Sequence, residues 1–143
     1  MPKMFLPDVN VWLALGFDGH LHHPAAKSWF DGLSSERCLF CRLTQQGFLR
    51  LATNPSVFGR DAVTLAAAWD LFDQLMQDPR VAFSQEPVGV ESHWRSFTQT
   101  LSFSPQVWND AYLSAFALSQ QLEVVTFDKA VSQFLPTVCH VLS

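Results

Sequence analysis

Three aspartates stand where a side chain can do phosphate chemistry: Asp8, Asp110 and Asp128. Asp8 closes the short apolar run from Lys3 to Pro7. Asp110 opens the stretch Asn109-Asp110-Ala111-Tyr112-Leu113, and Asp128 ends the run Val124-Val125-Thr126-Phe127. In an α/β sheet, strand ends and helix starts are the places from which side chains reach one edge crevice. Three carboxylates gathered there would repel one another. A hard, oxygen-seeking cation such as Mg²⁺ or Mn²⁺ resolves that conflict and keeps several waters for phosphate chemistry. Each aspartate alone has a plainer explanation. Asp8 and Asp128 suit helix N-caps, and the helix dipole favours an acid in a first turn, as at Asp110. The metal site rests on all three together.

The elements that must position them alternate between short apolar runs and helical patterns. Strands are expected at Lys3–Pro7, Arg37–Cys41, Val81–Ser84, Glu123–Phe127 and Val138–Leu142, where buried runs of four or five residues are bounded by turn residues. A short helix should run from Val9 to near Gly16. A second should start at Pro24, which suits a first helical turn, and end near Gly32. Thr44 is a plausible N-cap for a helix through Thr53 that Asn54-Pro55 terminates. Asp61–Gln77 and a segment holding Val90, Trp94, Phe97 and Leu101 have helical spacing. The helix after Pro105 is expected to turn Trp108, Ala111, Tyr112, Ala115 and Leu122 toward the core. Another should hold Ala130, Val131, Phe134 and Leu135. Short apolar strands alternating with amphipathic helices predict an α/β fold, a parallel sheet of about five strands covered on both faces.

The chain has 143 residues, 48% of them hydrophobic and five of them Trp, enough for one domain with its own core. No apolar run approaches the roughly 20 residues of a membrane span, and the start lacks the apolar core of a signal peptide, so no membrane partner and a cytoplasmic location are expected. A net charge of −4 argues against gripping nucleic acid by a broad basic surface. It leaves a nuclease open, because a metal-holding carboxylate cluster must itself be acidic. Three cysteines make a poor disulfide scaffold.

The blocks Phe5-Leu6-Pro7-Asp8-Val9-Asn10-Val11-Trp12, Leu43-Thr44-Gln45-Gln46-Gly47-Phe48-Leu49-Arg50 and Asn109-Asp110-Ala111-Tyr112, with Thr126-Phe127-Asp128, resemble the PIN-domain ribonucleases. Within these the chain is most similar to the VapC toxins of type II toxin–antitoxin systems, over essentially its full length. The resemblance implies a three-layer α/β/α sandwich with an acidic pocket at the carboxyl edge of the sheet. It also implies Mg²⁺- or Mn²⁺-dependent cleavage of RNA to 5′-phosphate and 3′-hydroxyl ends, a cognate VapB-like antitoxin and a homodimer. Asp8, Asp110 and Asp128 match the family's acidic positions, as catalytic and metal-holding residues. Asn10 and Thr126 fall where supporting polar groups stand. The chain departs from the family in one place. Many members carry a glutamate in the helix after the second strand, where this chain has Gln46, or Gln45 beside it, and glutamine brings no charge and cannot act as a base. One ion is therefore expected to be held better than two.

Other motifs have plainer readings. His20, His22 and His23 suit a loop leading into a helix more than a metal site. Cys38 and Cys41 on a strand point to opposite faces, as buried thiols do. Arg50 could contact a substrate phosphate, pair with an acid or reach solvent. The tryptophans Trp29, Trp69, Trp94 and Trp108 recur at core spacing, although some could offer bases a stacking surface. An aspartate-nucleophile phosphohydrolase would also begin with an Asp after its first strand, but its second Asp is here Asn10. A non-catalytic metal- or protein-binding module is the remaining alternative.

Overall fold

The computed structural model describes residues 2–135 and 138–143. Its short apolar runs form five parallel strands: β1 (Met4–Pro7), β2 (Arg37–Phe40), β3 (Val81–Phe83), β4 (Glu123–Thr126) and β5 (Cys139–Val141). They lie in the order β3-β2-β1-β4-β5. Successive strand residues face opposite ways, and both faces are apolar because both are covered. Phe5, Cys38, Phe40 and Val125 enter one core layer, while Leu6, Leu39 and Val124 enter the other.

The helices are α1 (Val9–Gly16), α2 (His23–Asp31), α3 (Arg42–Ala52), α4 (Pro55–Phe58), α5 (Leu65–Gln77), α6 (Val90–Thr98) and α7 (Val107–Gln120). Trp12 of α1, Phe48 of α3 and Phe72 of α5 fill the first layer, where Trp12 stacks on Phe40 with centroids 3.9 Å apart. Val90 of α6 and Leu113, Phe116 and Ala117 of α7 fill the second. The result is the expected α/β/α sandwich. Because β1 is central and β4 is its neighbour, the ends that carry Asp8 and Asp128 are adjacent. The Asp8 backbone N–H extends the ladder onto Val125 O at 2.8 Å.

Several boundaries differ from expectation, each for a local reason. Thr44 is the third residue of α3. Cys41 occupies the cap position, and the Thr44 hydroxyl accepts its N–H at 3.0 Å. Asn54 does not simply stop the chain, since its side chain caps the single-turn α4 through Ser56 N at 2.9 Å. The next long helix starts after Thr64, which accepts from Ala67 N at 3.1 Å, and Gly59–Asp61 is a 3-10 turn. Helix α6 ends at Thr98, leaving Leu101 in an exposed connection. Residues Lys129–Gln133 form a 3-10 helix, and Leu122 lies beyond the left-handed Gln121 that ends α7. Trp69 and Trp108 are 49% and 57% exposed, so neither is core.

Ser114 Oγ is buried on α7 without a hydrogen-bond partner among the described residues. An unmet buried hydroxyl costs about 1–3 kcal/mol, and alanine is the better helix former. Ser114→Ala should therefore stabilise the protein by about 1 kcal/mol in urea unfolding at unchanged m-value.

Candidate functional site

The end of β1 and the end of β4 are joined through one buried hydroxyl. Asp8 caps α1, its Oδ1 accepting from Val9 N at 2.7 Å. Its Oδ2 accepts from Thr126 Oγ1 at 3.0 Å. The same Thr126 oxygen accepts from Asn10 Nδ2 at 3.3 Å and from the Asp128 backbone N–H at 3.0 Å. A hydroxyl has one proton to give and two lone pairs to offer, and Thr126, at 0% exposure, uses all three. Asn10 returns its Oδ1 to Phe127 N at 3.3 Å, so its amide is engaged at both ends. Asp128 Oδ1 accepts from Ala130 N at 2.9 Å, capping the 3-10 helix. The capping roles foreseen for Asp8 and Asp128 thus coexist with a shared site, because each carboxylate keeps further lone pairs.

Asp110 comes from the other direction. It is the fourth residue of α7, its N–H donating to Gln106 O at 2.8 Å. Its carboxyl has no hydrogen-bond partner among the described residues. Asp8, Asp110 and Asp128 line one cleft of about 450 Å³, together with Gln46 and Arg50 of α3 and Gln106 and Asn109 of the α7 start. Burial first, and then the charges of Asp8 and Asp128, push the Asp110 carboxyl from its ordinary 3.8 up to about 7. Asp8 is also raised, by burial above all and by Asp128, against the pull of its bonds from Thr126 and Val9.

The donor set is that of a hard cation: carboxylate oxygens and carboxamide carbonyls with space for water. Among the described residues, no three His, Cys, Asp or Glu side chains already stand close enough to hold an ion. The three aspartates therefore share a cleft without forming a closed coordination shell.

On α3 the two glutamines part. Gln45 is buried and accepts from the Arg42 guanidinium, while Gln46 is exposed on the cleft wall. Arg50, one turn further along, lines the same wall and makes no ion pair among the described residues. Gly47 sets the width of the cleft. A Cβ there would lie 2.6 Å from Val9 Cγ2, so α1 and α3 can approach only over a glycine. Gly47→Ala should cost about 1–3 kcal/mol by overpacking and slow any reaction in the cleft. Adding Val9→Ala should restore much of both, measured as melting temperature and rate of the double variant.

Gln106 and Asn109 were not foreseen as site residues; helical spacing could have found Gln106, four residues before Asp110, but gave no such signal for Asn109. The histidines and cysteines stay out of the cleft. His20 Nδ1 accepts from His22 N at 3.0 Å, and His23 Nδ1 lies 2.7 Å from Ala14 O, so both hold the loop into α2. Cys38 and Cys41 lie in opposite core layers, and burial pushes the Cys38 thiol up to about 12.

A model of the PIN domain matches residues 5–134 of this chain. Ribonuclease VapC41 of Mycobacterium tuberculosis is 43% identical over 136 residues, covering 92% of this chain and 93% of that protein. The chain belongs to the VapC group of PIN-domain ribonucleases. Ribonuclease VapC38 of the same organism is 30% identical over 128 residues, covering 90% of this VapC-group chain and 87% of its own. The VapBC2 structure from Rickettsia felis, bound to a DNA fragment from its promoter, superposes with a TM-score of 0.73 at 7% identity. It covers 99% of this chain and 100% of that one. At that identity the likeness concerns the fold of the PIN domain alone.

Proposed function

We propose that this chain, as one domain, is a Mg²⁺- or Mn²⁺-dependent endoribonuclease, the toxin of a VapBC-type pair acting in the cytoplasm. The observation that carries the reading is the convergence of Asp8, Asp110 and Asp128, from two adjacent strand ends and one helix start, on a single cleft. Membership of the VapC ribonucleases supports it.

Asp8, Asp110 and Asp128 would hold the ion, which when bound supplies positive charge to the phosphodiester oxygens and acidity to the attacking water. The chain's own part is positioning and proton transfer. Thr126 and Asn10 fix the Asp8 carboxylate and the Asp128 backbone. An aspartate then orients the water or takes its proton. Arg50 contacts a substrate phosphate, for which its guanidinium, on the cleft wall and without an ion pair among the described residues, is suited. Gln46 adds a carbonyl and no charge, which favours one ion over two. In the phosphohydrolase alternative an acid/base is needed where Asn10 has both ends of its amide engaged.

The partners are RNA, a VapB-like antitoxin and a second copy of the chain. No helix among the described residues is long and apolar enough to cross a membrane. The test is cleavage of total RNA by purified protein, with the ends sequenced. New 5′-phosphate ends are expected with Mg²⁺ or Mn²⁺, and none in EDTA or with Asp8→Ala. Turnover in EDTA equal to that in Mg²⁺ would remove the metal from the proposal, and no cleavage under either ion would remove the nuclease.

A further inference from the structure

The first turn of α7 is a wall with a cavity on each side. Gln106, Asn109 and Asp110 face the acidic cleft, while Trp108, between them in sequence, lines a separate hollow of about 430 Å³ with Glu91, Trp94, Arg95, Thr98 and Gln99. The indole of Trp108 is held with much of its surface bare. Trp94 Nε1 donates to the Trp108 carbonyl at 3.0 Å, and the two rings pack edge to face with centroids 6.0 Å apart. Trp94 is braced in turn edge to face against Tyr112 at 5.2 Å. The Tyr112 hydroxyl donates to Glu86. The orientation of the exposed indole is thus set by its neighbours.

We propose that this hollow is a nucleobase subsite, in which an unpaired base of the RNA stacks on Trp108 while its neighbouring phosphate lies in the acidic cleft. The inference rests on the ribonuclease reading of that cleft. Three features select the occupant. The hollow lies one helical turn across from the cleft, and a helix with its side chains is about 10 Å across, a separation one strand of nucleic acid can bridge. Its lining combines the rings of Trp94 and Trp108 with the polar side chains of Glu91, Arg95, Thr98 and Gln99, suited to a base that has an apolar face and a hydrogen-bonding edge. Its volume falls in the range of small-ligand sites, about 300–1,000 Å³. Its six lining residues are far fewer than the roughly 20–30 a side of a stable protein interface. Glu91 and Arg95 pair at 2.8 Å, so the rim is close to neutral and recognition there depends on stacking more than on charge.

The test measures binding of a labelled, mixed-sequence single-stranded RNA in EDTA by fluorescence anisotropy, and separately the cleavage kinetics with Mg²⁺. Trp108→Ala should bind the RNA tenfold or more weakly, within the range for a lost stacking aromatic, and the defect should persist at high salt. Arg50→Ala should lose its own defect as salt rises. Trp108→Phe should restore binding to within about threefold of the wild type, which a merely missing side chain would not explain. In kinetics Trp108→Ala should raise KM and leave kcat within about threefold. Equal binding by wild type and Trp108→Ala, or a wild type that binds no RNA, overturns the subsite. A change of oligomeric state in Trp108→Ala on analytical ultracentrifugation also overturns it, by assigning the face to another copy of the chain. If RNA binds through Trp108 but no variant cleaves, the nuclease reading fails while the subsite stands.

Discussion

Replacing Asp110 by Asn should abolish RNA cleavage and, in the same protein, raise the melting temperature in EDTA above that of the wild type. The loss of activity should exceed the roughly 100-fold that altering a group one shell away from a metal costs. The gain in stability follows from the position of the acid. Asp110 is partly buried and forms no ion pair among the described residues, and Asp8 and Asp128 share its cleft. Its folded pKa, about 7, lies above the ordinary 3.8, so the folded chain holds this proton more tightly than the unfolded chain does. The ionised carboxylate is therefore a destabilising contribution, absent below 3.8, growing between 3.8 and 7 and complete above 7. The advantage of Asp110→Asn should be largest at pH 8 and shrink as the pH falls through 7 toward 4. Mn²⁺ should reverse the order by raising the wild-type melting temperature far more than the variant's. A variant less stable than wild type in EDTA at pH 8 would contradict the charge argument.

The second large effect is expected at a residue outside the cleft. Thr126→Val keeps the volume of the buried side chain and removes its oxygen. That leaves Asp8 Oδ2, Asn10 Nδ2 and the Asp128 N–H each short of a partner. A buried polar group left unmet costs about 1–3 kcal/mol, and the three are close enough to relax together, so a total of about 3 kcal/mol is expected. Activity should fall about 10–100-fold, the usual cost of losing a group that orients a ligand. Thr126→Ser keeps the hydroxyl and gives up only a methyl. It should retain most of the activity and lose about 1 kcal/mol. Equal rates for the two variants would mean that Thr126 serves packing alone.

The main features of fold and site were legible because they rest on local pattern. Short continuous apolar runs became strands, and the aspartates stood just past two strand ends and in one first helical turn. The glutamines show where pattern stops. Gln45 and Gln46 differ by one step around α3, and only the packing of that helix on α1 over Gly47 sends one inward to Arg42 and the other to the cleft. Trp108 and Trp69 show the opposite failure. Helical spacing says that residues share a face, not that a neighbour covers it, and among the described residues neither α6 nor the 3-10 helix beside α7 covers Trp108. Thr44 misled for a simpler reason. The same hydroxyl can cap a helix from outside or brace it from the third position, and composition does not distinguish the two.

The hydrogen bond between Asp8 and Thr126 spans 118 positions of sequence. Strand β1 is made before β4 and lies at the centre of the sheet, yet the end that carries Asp8 is unfinished until β4 docks beside it. Until β4 is made, a growing polypeptide therefore holds Asp8 by its α1 cap alone, without the Thr126 hydroxyl. The order in which the two strands are made thus delays completion of the carboxylate cleft until β4 has docked on β1.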